Sequence, residues 1–295
     1  MSYDRTQPLT LKIMRQQLGG LLREITIGTV DSATSTTITD ADLIDSGESA
    51  TAYDRAWLRV SDTTRRIVNK GYNPDTGEIR VGRAFNTTPV AGDEYELHTM
   101  ISPTELDECI NRALTSLYYE REQAITVVAD QTEYDLSSYN WIVGREQVLG
   151  VYVRTGTTVN QYRYKSLPKW GMGRKPAAST ASNAMPDTGL YLQVSALGDT
   201  DSSIIIVGMC PYDKLSSDSS ATTAPYDWVM AAAEFQVYDL QIRDAPSTDR
   251  KIYEEKMRLT GTRLTVLNRQ YMPRPRVIVT PLDYVSTNTL SEYGE

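Results

Sequence analysis

The chain has 295 residues, 40% hydrophobic and 23% charged, enough for two domains or one elaborated domain of an ordinary globular protein. No apolar run approaches the ~20 residues that a membrane-spanning helix needs, so no membrane partner is expected. The net charge of −8 argues against a nucleic-acid reader that works by neutralising phosphate, though not against a surface that DNA slides past.

Residue usage narrows the chemistry further. The start, MSYDRTQPLT, has no apolar core of the signal-peptide kind, so synthesis in the cytoplasm is expected. Cys109 and Cys210 are the only cysteines and lie far apart, which speaks against a disulfide framework. His98 is the only histidine, which speaks against a zinc site. Tyrosine is unusually common, 19 against 2 phenylalanines. Its flat body and polar tip suit half-wet contacts between subunits, and equally the half-exposed faces of sheets.

In chain order, residues 9–25 carry Leu11, Met14, Leu18, Leu21 and Ile25 at helical spacing. Gly19-Gly20 interrupts this stripe at about 1 kcal/mol per glycine, so a weak point or bend is expected there. From Thr26 the pattern turns to strands at Trp57–Val60, Arg65–Val68, Glu78–Val81 and Glu94–Leu97. Turns at Asn73–Gly77 and Pro89–Asp93 separate them, and the whole suggests a small antiparallel barrel or sandwich. Ser102-Pro103-Thr104-Glu105 has the capping-box spacing, opening a helix expected to end near Gln123 with Leu106, Ile110, Ala113, Leu114, Leu117 and Tyr118 buried.

A second β segment follows from Ala124 to about Met209, with its clearest strand at Gln147–Arg154. Within it, Trp170–Thr188 is rich in Gly, Ala, Ser and Pro and reads as a long loop. Pro225–Arg243 is the strongest helix pattern, with Trp228, Ala231, Ala232, Phe235, Tyr238 and Ile242 on one face. A second helix, Ser247–Gln270, carries a heptad-like seam of Tyr253, Met257, Thr260, Leu264 and Leu267, which Tyr271 continues. Beyond it, Pro273, Pro275 and Pro281 forbid a helix, and Val277-Ile278-Val279 is a β-branched apolar patch on an otherwise polar arm.

The expected fold is α+β: a discontinuous helical bundle with two inserted antiparallel β modules and an extended C-terminal arm. Its segments are 1–25, the first bundle helix; 26–99, a β module; 100–123, a bundle helix; 124–222, a second β module; 223–270, a helix pair; and 271–295, the arm. The bundle core is expected at Trp228, Phe235, Tyr238, Ile110 and Leu114.

No catalytic constellation stands out. Asp40, Asp42 and Asp45 have the wrong register for a calcium loop and read as a solvated acidic turn. Gly171-Met172-Gly173 lacks the strand-to-helix context of a phosphate loop. His98 reads as an exposed histidine at a strand end. Cys109 and Cys210 read as small buried hydrophobes. No metal, no cofactor and no enzymatic role are expected.

A helix opening on Ser102-Pro103-Thr104-Glu105-Leu106, a β insertion, a return through Tyr226-Asp227-Trp228 to a helix pair, and an extended tail together resemble the head-to-tail connector, or adaptor, proteins of tailed bacteriophages. The segment ending Ala91-Gly92-Asp93-Glu94-Tyr95 is also similar to modules common in phage virion proteins. The resemblance implies a homo-oligomeric ring, usually dodecameric, between the portal protein above and a downstream tail or neck protein below. Double-stranded DNA would pass through without tight binding, which an acidic chain favours. It further implies residence in the virion neck after assembly in the bacterial cytoplasm, with the arm (Tyr271, Val277, Ile278, Val279 and Tyr284) docking on the portal or on a neighbouring subunit. Two alternatives stand beside it. One is another neck or tail structural protein, such as a tail-completion or tail-tube protein, mainly β. The other is a carbohydrate-binding or hydrolytic tail protein that presents Trp141 or Trp170.

Overall fold

A computed structural model describes residues 9–271, apart from 45, 47, 143–144, 156–162, 168, 175–189, 196 and 198–200. The arm residues Val277, Ile278, Val279 and Tyr284 lie outside the described residues, as does Asp45. The described chain forms two compact units. One holds the residues up to Leu117 together with Tyr212–Tyr271; the other is Tyr118–Pro211.

The first unit begins with strand β1 (Leu9–Thr10) and helix α1 (Leu11–Leu22), capped by the Thr10 hydroxyl, which accepts the Ile13 N–H at 3.3 Å. Gly19-Gly20 lies inside this helix. A methyl group at Gly19 would stand 2.9 Å from Ile25 Cβ, so the bare backbone is what lets the next strand lie against α1. Seven strands follow: β2 (Ile25–Thr29), β3 (Ser32–Ala33), β4 (Thr37–Thr39), β5 (Trp57–Val60), β6 (Thr63–Asn73), β7 (Glu78–Val81) and β8 (Glu94–His98). They form one antiparallel sheet in the order β2-β8-β5-β6-β7-β4-β3. One face buries Ile38, Leu58, Val60, Ile67, Tyr72, Ile79, Tyr95 and Leu97 in a single apolar cluster. The β6–β7 turn closes with the Gly77 N–H donating to the Asn73 carbonyl at 2.9 Å. Gly77 has φ 64°, and any Cβ there would meet the Asp40 carbonyl oxygen at 2.0 Å, so no other residue fits.

Helix α2 (Pro103–Ser116) carries both bonds of the capping box. The Glu105 N–H donates to Ser102 Oγ at 3.2 Å, and the Ser102 N–H donates to Glu105 Oε2 at 3.0 Å. It stops at Ser116, not near Gln123. The chain from Tyr118 instead alternates exposed and half-buried residues and pairs along its length with a strand far downstream, so sheet pairing overrides the local helical pattern.

The second unit holds β9 (Tyr118–Thr126), β10 (Glu133–Asp135), β11 (Val148–Thr155), β12 (Arg163–Ser166), β13 (Trp170–Arg174), β14 (Leu190–Val194) and β15 (Asp201–Pro211). Four form the sheet β12-β11-β15-β9 and three the sheet β10-β14-β13, all antiparallel. They share a core of Tyr134, Trp141, Val151, Leu192, Ile204 and Ile206. The expected long loop from Trp170 begins as β13, because β14 supplies the pairing that its glycines cannot advertise; residues 175–189 are outside the described set.

The chain returns to the first unit through β16 (Ala221–Thr222), which pairs with β1, and ends in α3 (Tyr226–Asp244) and α4 (Ser247–Tyr271). Leu11, Met14 and Leu18 of α1, Leu106, Ile110 and Leu114 of α2, and Trp228, Val229, Ala233 and Val237 of α3 make one apolar cluster, with Leu264, Leu267 and Tyr271 of α4 packed against it. In its first half α3 is buried all round, including Val229 and Met230, where a single stripe was expected. A helix at the centre of its neighbours has no solvent face to give a period. Phe235 is only half-buried.

The fold as a whole differs from the expected helical bundle with two β modules. Among the described residues, sixteen strands in four antiparallel sheets outweigh four helices. The chain is mainly β, because the Thr-rich stretches pair far more extensively than their weak alternation signals.

Trp228 is 3% exposed, and its indole N–H donates to Asn268 Oδ1 at 2.6 Å, tying α3 to α4. Trp228→Ala is expected to lower unfolding free energy by about 3–5 kcal/mol in urea titrations. A loss within ~0.5 kcal/mol would mean that the helices do not depend on this contact.

Candidate functional site

Strand β8 reads Glu94-Tyr95-Glu96-Leu97-His98, with Tyr95 and Leu97 in the sheet's apolar core. Alternation sends Glu96 and His98 to the opposite face, and on the neighbouring β5, Arg59 lies directly across from Glu96. That face is not wet: Glu96 is 3% exposed and His98 fully buried. Helices α1 and α2 cover it, and α1 contributes Arg15 at 0% exposure.

Arg15 uses its whole guanidinium. Nε and Nη2 donate to Glu96 Oε2 and Oε1 at 2.7 and 3.1 Å, a bidentate fork. Nη1 donates to Asp107 Oδ1 of α2 at 2.8 Å and to Asp218 Oδ1 at 2.9 Å, and Nη2 also reaches Asp218 Oδ2 at 3.1 Å. Arg59 Nη2 joins Asp218 Oδ1 at 2.8 Å, and His98 Nε2 lies 3.1 Å from Glu96 Oε2. One cluster thus binds α1, α2, β5, β8 and the segment before α3.

Its electrostatics are internally balanced. Burial alone would push Glu96 up; the hydrogen bonds from His98 and Arg15, and the charge of Arg15, reverse this and hold it at about 2. Burial would likewise favour a neutral Arg15, but Glu96 and Asp218 raise it above the ordinary arginine value. Asp107 is raised, chiefly by burial, with Arg15 opposing. The cluster offers a ligand little: its strongest donor is saturated by carboxylates and sealed from water.

A second buried acid lies in the same unit. Glu24, at 3% exposure, follows α1, and both its carboxylate oxygens lack a hydrogen-bond partner. Burial pushes it up to about 7; the Ile101 N–H, short of a good hydrogen bond, opposes this, and Glu105 adds to it. Near that point a groove of about 320 Å³ runs between the start of α2 and the α3–α4 turn, lined by Met100, Ile101, Glu105, Leu240, Pro246 and Tyr253.

Several readings of single residues change here. His98 is buried, not exposed at a strand end. Asp40 is buried too, not solvated: its Oδ1 accepts the Asp42 N–H at 2.8 Å and its Oδ2 accepts the Tyr95 hydroxyl at 2.6 Å. Trp141 is 7% exposed inside the second unit's core, so it presents no sugar platform. Trp170 is half-buried against the same core. Cys109 and Cys210 are buried and free, and burial lifts the Cys109 thiol to about 12. Ile110, Leu114 and Trp228 lie in the helical core, and Tyr238 is buried beside it with its hydroxyl on Glu234 at 2.9 Å. Tyr271, expected in the arm, is the last residue of α4. Sequence reasoning missed Arg15, Arg59, Glu96, Asp107 and Asp218; the capping boxes and stripes that announce elements do not announce which polar residues meet.

Among the described residues, no group of three or more His, Cys, Asp and Glu side chains is placed to hold a metal ion, and no helix is long and apolar enough to cross a membrane. No family model matches the chain, and no curated protein is similar to it.

Arg15→Met is expected to destabilise by about 3–5 kcal/mol, because it removes the cation from the buried Glu96 and one partner each from Asp107 and Asp218. A near-neutral result by urea titration would show that water reaches the cluster. The two acids give opposite pH signatures. Glu96, depressed to about 2 from 4.5, contributes stability above pH ~4.5 that is lost as pH falls toward 2. Glu24, raised from 4.5 to about 7, contributes below pH ~4.5 and loses that contribution as pH rises through 7. Glu24→Gln is therefore expected to leave stability at pH ~4 nearly unchanged and to raise it at pH ~8 by up to about 3 kcal/mol. Parallel pH profiles for the two proteins would assign the alkaline loss to another group.

Proposed function

We propose that the chain is a structural protein of a tailed-phage neck, a head-to-tail connector that assembles between portal and tail around the DNA channel. The observation that carries this reading is the union of α2, α3 and α4 around one core, although the whole second unit lies between α2 and α3 in sequence. The motifs that carry the resemblance, Ser102–Leu106 and Tyr226–Trp228, open two of those helices. The buried charge cluster supports a structural role, since Arg15, its most deeply buried cation, spends all its donors on Glu96, Asp107 and Asp218. The acidic chain suits a conduit that must release DNA.

The preponderance of strand favours a second reading, a tail-completion or tail-tube protein of the same virion. Labelled protein located in particle images separates the two: a ring directly beneath the portal supports the connector, and a position within or beyond the tail supports the alternative. In the connector reading the C-terminal arm is the docking element. Deleting 276–295 is expected to leave thermal stability unchanged and to abolish attachment to portal-bearing heads. Normal attachment by the truncated chain would remove the arm from the account.

A further inference from the structure

Helix α4 has two apolar faces. Thr260, Leu264, Leu267 and Tyr271 turn toward the helical core. Ile252, Leu259 and Val266 do not: they are 57%, 55% and 62% exposed. They recur every seven residues, and seven residues fall only ~20° short of two turns. The three side chains therefore form one stripe about 21 Å long on the outer side of the helix. Single exposed hydrophobics need no explanation, but a straight row of three large ones on one helix does.

Charge identifies what covers it. Helix α4 carries Arg250, Lys251, Lys256, Arg258, Arg263 and Arg269 against Asp249, Glu254 and Glu255, six minus three, or +3. The whole chain is −8, so the remainder is −8 − 3 = −11. Beside the stripe, Arg258 is engaged by Glu255 at 2.7 Å, and Lys256 lies over the Tyr238 ring at 5.5 Å. Lys251, Arg263 and Arg269 are left exposed along it. Pairing α4 with α4 would oppose these bases to one another, whereas the rest of the same chain carries a net charge of the opposite sign.

We propose that the outer face of α4 is a head-to-tail contact that docks on the acidic remainder of a second copy of this chain. Such a contact is heterologous: each copy offers its helix to one neighbour and its acidic surface to the other, and the series closes into a ring or runs on. The inference rests on the connector reading only for closure; it assigns that ring its lateral contact.

Sedimentation velocity of the full-length protein over a concentration series tests it. Wild type is expected to self-associate. Leu259→Asp and the charge reversal Arg263→Glu/Arg269→Glu are each expected to weaken association at least ~10-fold. All three positions are at the surface, so melting curves should match wild type. A head-to-tail contact makes a further demand: excess Leu259→Asp protein keeps its acidic surface and so should cap wild-type oligomers, shortening them. Failure to cap, with both variants defective, would indicate an α4–α4 contact and overturn the proposal. So would a wild type that stays monomeric, or variants that associate normally. Variants that associate normally but no longer join portal-bearing heads would assign the stripe to the portal, leaving the connector reading intact and this inference wrong.

Discussion

Arg15 is the constraint on which the first unit depends. A guanidinium at zero exposure is tolerable only if every donor is met and its charge is balanced, and five N–H groups fan toward three carboxylates to do so. Each carboxylate comes from a different part of the chain: Glu96 from a strand, Asp107 from a helix, Asp218 from the segment that returns from the second unit. The donor geometry fixes where those parts meet. Apolar packing would hold the helices on the sheet in many similar positions; a planar fork admits few.

Two apolar cores flank this cluster, one among the helices and one on the far face of the sheet. β8 serves both, with Tyr95 and Leu97 in the sheet core and Glu96 and His98 beneath the helices. A strand buried on both faces usually reads as continuously apolar. Here one face is buried and polar, so it keeps the alternation of a half-wet strand while being dry. The same disguise hides Asp40, whose carboxylate is held by the Tyr95 hydroxyl inside what looks like a solvated acidic turn.

This explains what could be read in the sequence. Local chemistry was legible: the Ser102–Glu105 capping box, the glycine of the Asn73–Gly77 turn, the strands Trp57–Val60 and Glu78–Val81, and the strand Val148–Thr155 to within one residue at each end are set by residues within a few positions of one another. What depends on distant partners was not. Tyr118–Thr126 carries a helical continuation in its own residues and becomes a strand because β15 lies beside it. Trp170–Arg174 carries two glycines and becomes a strand because of β14. Helices dominate the sequence signal for the same reason: a helix announces itself within one segment, whereas the pairing of a sheet is settled between segments. The Arg15 cluster joins positions up to 203 residues apart, and no periodicity encodes such a meeting.

If the charge cluster is the joint, helices and sheet of the first unit form one cooperative body. Native-state hydrogen exchange measures this directly, amide by amide. If Arg15 is the joint, the slowest amides of α1 and α2 and those of β5 and β8 will open together, with one free energy and one dependence on denaturant. If the helical amides exchange through an opening of lower free energy that leaves the sheet protected, the helices are held by their own apolar core alone, and the central claim is contradicted.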